Sequence, residues 1–294
     1  MKILIAGASG LIGTALQDTL RGHQVRTLVR REPRSAEEYR WHPDELRVPE
    51  EAIEWADGVV SLSGASLGRL PWTRNYRREI YFSRVNATRT LARAIAMASN
   101  PPQVWVSGSA VGYYGNRPGE VLTEASGPGE GFVSGVVQRW ETATTPADDV
   151  TRVVHIRTGL VMATGGVLAP LVLATRLGAG STIGTGEQYW PWIALEDQAR
   201  AITHLLTDSD LAGPVNVGGP EPVPSAQVTR TLAQQMHRPH LFRLPVWLLR
   251  LVMGEPAEEL LLPDQRMLPE RLLRDGFRFH YPTAKEAVAA ALGH

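Results

Sequence analysis

Three glycines recur at three-residue spacing in Gly7-Ala8-Ser9-Gly10-Leu11-Ile12-Gly13, directly behind the apolar run Ile3-Leu4-Ile5-Ala6. That arrangement suits diphosphate chemistry. Glycine permits the tight turn, lets the backbone approach a pyrophosphate closely, and lets the following helix pack near the strand. The free N–H groups of the turn and the positive end of the helix dipole would then face the phosphates, so Gly7, Ser9, Gly10, Leu11, Ile12 and Gly13 are candidate cofactor ligands. The alternative is a tight strand-to-helix turn with no ligand. A second clue stands at the end of the next apolar run, Thr27-Leu28-Val29-Arg30-Arg31-Glu32-Pro33. An acidic residue there would accept the ribose 2′-hydroxyl of NAD, whereas an arginine pairs with a 2′-phosphate. Arg30 and Arg31 therefore point to NADP(H). The competing reading is a solvated basic loop, which the neighbouring Glu32 keeps open.

These residues need a scaffold, and the chain supplies one in its alternation of short apolar, β-branched runs with helix-period segments. Ile3–Ala6, Val25–Val29, Gly58–Leu62, Val104–Val106 and Arg152–Ile156 read as strands. Leu11–Leu20 reads as the helix after the glycine turn. Val85, Thr88, Leu91, Ala92, Ile95 and Ala98 lay one apolar face at helical spacing. The pattern predicts an α/β fold, a Rossmann-type doubly wound parallel sheet, with a smaller C-terminal substrate or lid region. The expected NADP(H)-binding domain is residues 1–160, with a returning strand near 214–218. Residues 161–294 form the smaller region, where glycines cluster from Gly178 to Gly186 and a Leu-rich tail follows.

Composition narrows the classes further. The 294 residues carry 30 basic and 30 acidic side chains, so no global charge argues for nucleic acid or an anionic membrane. No cysteine is present, which excludes disulfides and thiolate chemistry. The histidines, His23, His42 and His155 among them, form no ligand constellation, and no metal is expected. The N-terminal apolar run is too short for a signal peptide, no stretch has the length of a membrane span, and a cytoplasmic protein with a small-molecule substrate is expected.

With these motifs in hand, the sequence resembles the extended, or atypical, short-chain dehydrogenase/reductase superfamily, in its NAD(P)-dependent epimerase/dehydratase family. It looks most like the branch of nucleoside-diphosphate-sugar epimerases that carries a small extra C-terminal domain, here about residues 238–294. The resemblance runs through the glycine turn, Ser61-Leu62-Ser63-Gly64-Ala65, Ser83-Arg84-Val85 and the stretch from Ser107 to Gly115. It continues through Trp140-Glu141, Arg157-Thr158-Gly159, Gly184 to Gln188, Trp192-Ile193 with Asp197, Asn216, and the tail from Arg238-Pro239 to Tyr281-Pro282. By this resemblance Leu62, Ser63 and Gly64 lie beside the adenosine and its ribose, with Arg84 on the helix that follows. Arg157 and Thr158 approach the nicotinamide or the phosphates. Gln188, Trp190 and Trp192 come from the smaller region towards the substrate, where a stacking aromatic would suit a planar or sugar-like molecule. Packing between regions is the alternative for both tryptophans.

Ordinary members of the superfamily use a serine or threonine to hold the substrate oxygen, a tyrosine as acid or base, and a lysine four residues later that lowers the tyrosine pKa. Ser109 stands where that serine is expected. The Tyr-x-x-x-Lys pair should follow about 25 residues on, but residues 131–140 contain neither, and Lys2 and Lys285 are the only lysines in the chain. Tyr281 and Lys285 have the right spacing but lie in the C-terminal tail. Tyr113 and Tyr114 are the replacement acids. With no lysine beside them they would titrate near the free value of about 10, donors rather than bases at neutral pH, which favours reduction over oxidation. The alternative is that both tyrosines merely wall the cleft. Two functions follow: an NADPH-dependent oxidoreductase or epimerase-like enzyme acting on a small carbonyl or sugar-like substrate, or a catalytically silent NADP(H)-binding sensor or interaction protein.

Overall fold

In the computed structural model, which describes residues 1–166 and 168–293, the apolar runs line up as a single parallel sheet of seven strands. In chain order these are β1 (Lys2–Ala6), β2 (Gln24–Val29), β3 (Glu38–Arg40), β4 (Gly58–Ser61), β5 (Val104–Ala110), β6 (Arg152–Thr158) and β7 (Gly213–Val217). Across the sheet they stand in the order β7-β6-β5-β4-β1-β2-β3. The chain thus winds outward from β1 in one direction and then returns to wind outward in the other, which leaves a crevice at the carboxyl ends of β1 and β4.

Why both faces are covered follows from the strand period. Ile3 and Ile5 of β1 belong to a core with Val60, Val106, Val154 and Ile156, packed under helices α1 (Leu11–Thr19) and α4 (Leu195–Thr207). Leu4 and Ala6 point the other way, into a core with Trp41, Val59 and Trp105 under helix α2 (Arg74–Met97). A strand buried on both faces reads as a continuous apolar run, as Ile3-Leu4-Ile5-Ala6 does.

The structure departs from the sequence expectation at β3. Glu38-Tyr39-Arg40 has no apolar run, yet it pairs with Thr27, Leu28 and Val29 as the edge of the sheet. A charged edge strand protects an open sheet from pairing with other chains. The returning strand near 214–218 is β7, and β5 runs to Ala110, carrying Ser109 within the sheet.

A separate core gathers Met162, Ile183, Trp190, Trp192, Val228, Leu232, Leu261 and Val288. Asp197, in the first turn of α4, fastens the tail to the sheet layer. Its carboxylate is fully buried and accepts the backbone N–H groups of His280 and Tyr281, both at 2.9 Å, and an ion pair from Arg200 at 2.8 Å. Among the described residues no helix is long and apolar enough to cross a membrane. Replacing Asp197 by alanine removes the acceptor of two part-buried amides, so Asp197→Ala should lower stability by about 2 kcal/mol. Urea unfolding of the variant against the parent checks this, and an unchanged midpoint would contradict the anchoring role.

Candidate functional site

Two cavities of about 720 and 480 Å³ lie along the carboxyl ends of β1, β2, β4 and β5. They share Gly7, Gly10, Leu62, Gly64 and Ala65, and so form one cleft with two chambers. The glycine turn makes the narrow waist. Gly7 has φ +91°, and a Cβ there would stand 2.8 Å from the Leu62 carbonyl carbon, so only glycine lets β1 and β4 close to this distance. A side chain at Gly13 would collide with the Gly7 and Ala8 backbone. Helix α1 begins at Leu11 with Gly10 as its N-cap and no side chain capping it. Its first N–H groups therefore stay free at the cleft.

In the larger chamber stand Ser9, Arg30, Arg31 and Ser63, with Glu38 from the unexpected edge strand. The two arginines are not equivalent. Arg31 grips Glu38 through two hydrogen bonds of 2.5 and 2.7 Å, which raise its own pKa and bring that of Glu38 down to about 2. Arg30 makes no ion pair among the described residues and is exposed. Leu11, Ile12, Gly13 and Thr158 line the smaller chamber. Arg84, expected as a cofactor-binding residue on the helix after Gly64, lines this smaller chamber with its side chain against Gly64.

Behind the smaller chamber lies a buried polar row. Ser109, Arg157 and Asn216 face each other in register across β5, β6 and β7. Glu141, on helix α3 (Phe132–Thr142), closes the row from above. Arg157 donates to both carboxylate oxygens, Nε to Oε1 and Nη2 to Oε2, each at 2.9 Å. Burial works against the Arg157 charge, but the Glu141 carboxylate outweighs it and raises the pKa. Ser109 Oγ donates to Glu141 Oε1 at 2.6 Å. Arg157 Nη1 donates to the Tyr114 hydroxyl at 3.0 Å, and that hydroxyl donates in turn to Asn216 Oδ1 at 2.7 Å.

This row changes several assignments. Arg157 was expected to approach the cofactor, but it is 3% exposed and wholly engaged by Glu141 and Tyr114. Tyr114 was a candidate acid, but it has no exposed surface, its hydroxyl is enclosed, and burial raises its pKa. Tyr113 is half-buried with its ring stacked on the Arg157 guanidinium, 3.5 Å from Cζ to the ring centre. Neither tyrosine lines a chamber of the cleft. Ser109 does line it, although its hydroxyl proton points at Glu141.

The expected substrate residues also lie elsewhere. Trp190 and Trp192 are each 1% exposed in the second core, and their indole N–H groups donate to the Leu261 and Glu221 carbonyls. Gln188 donates to the carbonyls of Ile183 and Leu261. Both tryptophans sit as packing residues, because a buried indole must satisfy its N–H internally, while Gln188 is half-buried. Tyr281 donates to Glu196 in the tail, and Lys285 is exposed on the last helix, both away from the cleft.

What faces the cleft from α3 is Val133, Val136, Val137 and Trp140. Val133 and Val137 stand one helical turn apart and present only methyl groups. Sequence reasoning gave no role to these residues or to Glu141. The available signal was the 133, 137, 140 spacing of an apolar helix face with Glu141 as its lone acid.

Comparison with known proteins agrees with this architecture. The pattern of the NAD dependent epimerase/dehydratase family matches residues 3–218, and a domain of unknown function (DUF1731) matches residues 244–291. An epimerase family protein of Mycobacterium leprae is 40% identical over 293 residues, covering 98% of this chain and 95% of its own. The human epimerase family protein SDR39U1 is 34% identical over 299 residues, covering 98% of this chain and all of its own. A crystal structure of that human protein with NADPH superposes with a TM-score of 0.91 at 31% identity, covering 100% of this chain and 99% of the other. Sheet order, glycine turn and relatives coincide along nearly the whole length, and the chain belongs to the NAD dependent epimerase/dehydratase family.

Proposed function

We propose that the protein is an NADP(H)-dependent oxidoreductase or epimerase-like enzyme that acts on a small carbonyl or sugar-like substrate at the Gly108–Ala110 end of the cleft. The observation that carries this reading is the continuity of the two chambers. A dinucleotide laid through the waist at Gly7 and Gly10 would have its 2′-phosphate end beside Arg30 and its other end beside Ser109. The cradle fits such a group, since glycine at position 7 lets the turn pack against the Leu62 backbone and the first amides of α1 have no side-chain cap. The NADPH in the crystal structure of the human relative supports the choice of cofactor. Membership of an enzyme family along nearly the whole chain speaks against a silent sensor.

The chemistry a bound nicotinamide supplies is hydride transfer at C4, while the protein supplies geometry and proton handling. Val133, Val136, Val137 and Trp140 exclude water from one wall of the smaller chamber. Ser109 brings the one hydroxyl backed by a carboxylate. Because its proton is directed at Glu141, its lone pairs face the cleft and can accept from a substrate hydroxyl. A proton leaving that hydroxyl passes to Ser109 as the serine proton passes to Glu141, and in the reverse direction a Glu141 carboxyl that has first taken a proton from solvent returns it through Ser109 to the reduced carbonyl oxygen. Tyr113 and Tyr114 hold Arg157, which holds Glu141.

Two outcomes test this. Arg30→Ala should weaken NADPH binding by about tenfold or more, leave NADH unchanged, and exceed the effect of Arg31→Ala, because Glu38 already occupies Arg31. Fluorescence titration reads both, and equal parent affinities for NADPH and NADH would overturn the cofactor assignment. In turnover of NADPH or NADP⁺ against a panel of aldehydes, ketones and nucleotide sugars, Ser109→Ala should lower kcat by roughly 100-fold while Tyr113→Phe stays within about threefold of the parent. Turnover indifferent to Ser109→Ala would remove the proposed proton path.

A further inference from the structure

Arg84 is a part-buried cation with no anionic partner among the described residues. It projects from α2 into the wall of the smaller chamber, where Nη1 donates to the Ile80 carbonyl one turn earlier at 3.1 Å. Its guanidinium lies 5.3 Å from the Trp140 ring centre and against Gly64, where a Cβ would meet Cζ at 3.0 Å. No carboxylate among the described residues pairs with it, so the Ile80 carbonyl and the Trp140 ring face are the groups that favour its charge. Burial pushes its pKa down to about 10, so it remains charged at neutral pH. Arg157, the fully buried arginine at this end of the sheet, has both oxygens of Glu141 and a raised pKa. The contrast is informative because even a partly desolvated charge is costly to keep without a partner.

The remaining donors of Arg84 face a chamber otherwise lined by Leu67, Ile80, Val133, Val136 and Val137, with Ser109 beyond. We propose that Arg84 is the seat of a carboxylate on the substrate, and that the substrate is a small carbonyl compound bearing that carboxylate. The inference rests on the reading of the cleft given above. A guanidinium edge matches a carboxylate in two parallel hydrogen bonds, and one cation balances one negative charge. A phosphate dianion would leave one charge uncompensated against an apolar wall. The apolar side chains strengthen the pair by excluding water, and they fix the carboxylate so that the carbonyl lies towards Ser109.

The test uses the full-length protein saturated with NADP⁺ and calorimetric titration with oxamate, pyruvate and malonate, alongside their uncharged amides. The parent should bind at least one carboxylate and none of the amides comparably. Arg84→Gln should weaken that binding by about tenfold or more, with Arg84→Lys between them, while NADPH affinity changes less than about threefold. Arg84→Gln should also unfold at the same or a higher temperature, which a purely structural arginine would not do. Two results would overturn the proposal: no carboxylate bound by the parent, or a loss of about tenfold in NADPH affinity in Arg84→Gln, which assigns the guanidinium to the cofactor phosphates. If the parent fails to bind NADPH at all, the functional reading falls. The same carboxylates titrated into the protein without dinucleotide then still decide the role of Arg84.

Discussion

The bidentate pair between Arg157 and Glu141 holds the carboxyl end of the sheet in one geometry. Arg157 stands in register between Ser109 on β5 and Asn216 on β7, so a displacement of α3 would be felt on three strands at once. Burying two charges costs solvation, and the return comes only if both are saturated with hydrogen bonds. Here they are: Glu141 accepts from Arg157 twice and from Ser109, and Arg157 also donates to Tyr114. Removing one partner from such a pair costs about 3–5 kcal/mol because the other charge is left behind. The pair is therefore better understood as a device that fixes position than as a source of stability. The position it fixes is that of the Ser109 hydroxyl.

A second constraint acts at the waist of the cleft. β1 and β4 approach so closely that Gly7 touches the Leu62 backbone, and the same turn leaves the start of α1 without a cap. Uncapped amides at a helix start are a defect in a protein that binds nothing there, since each has lost its water without gaining a partner when covered. In a diphosphate site they are the ligands. Close approach accounts for Gly7 and Gly13, where a Cβ would strike backbone, while Gly10 caps α1 without a side chain.

Much of this was legible in the sequence. Period-two and continuous apolar runs placed six of the seven strands, and glycine spacing placed the turn, because both depend on local backbone geometry and burial. Glu38-Tyr39-Arg40 escaped because an edge strand is built from pairing rather than from apolar content. The side-chain roles were harder. Tyr114 follows Ser109 closely in sequence, but the 3₁₀ turn Val111–Tyr114 rotates it into the interior, towards Asn216 a hundred residues on. Trp190 and Trp192 looked like stacking platforms. Their indoles are buried through a second core whose partners, Leu261 and Glu221, come from distant segments. No local pattern distinguishes an aromatic that faces a ligand from one that faces a core.

The lysine that the resemblance led one to expect has no counterpart on α3, and the physical consequence is a change in where charge enters the cleft. Val133 and Val137 make the α3 wall apolar, which lowers the local polarizability and lengthens the reach of any charge nearby. The cation that remains comes from the opposite helix, α2, as Arg84, and the acidic group comes through Ser109 as Glu141. A positive group and a carboxylate-backed hydroxyl thus both line the smaller chamber, while Glu141 is already bound by Arg157. That arrangement is what the proposed anionic carbonyl substrate would need: a cation without a carboxylate partner among the described residues, beside a hydroxyl whose carboxylate is already held by a second arginine.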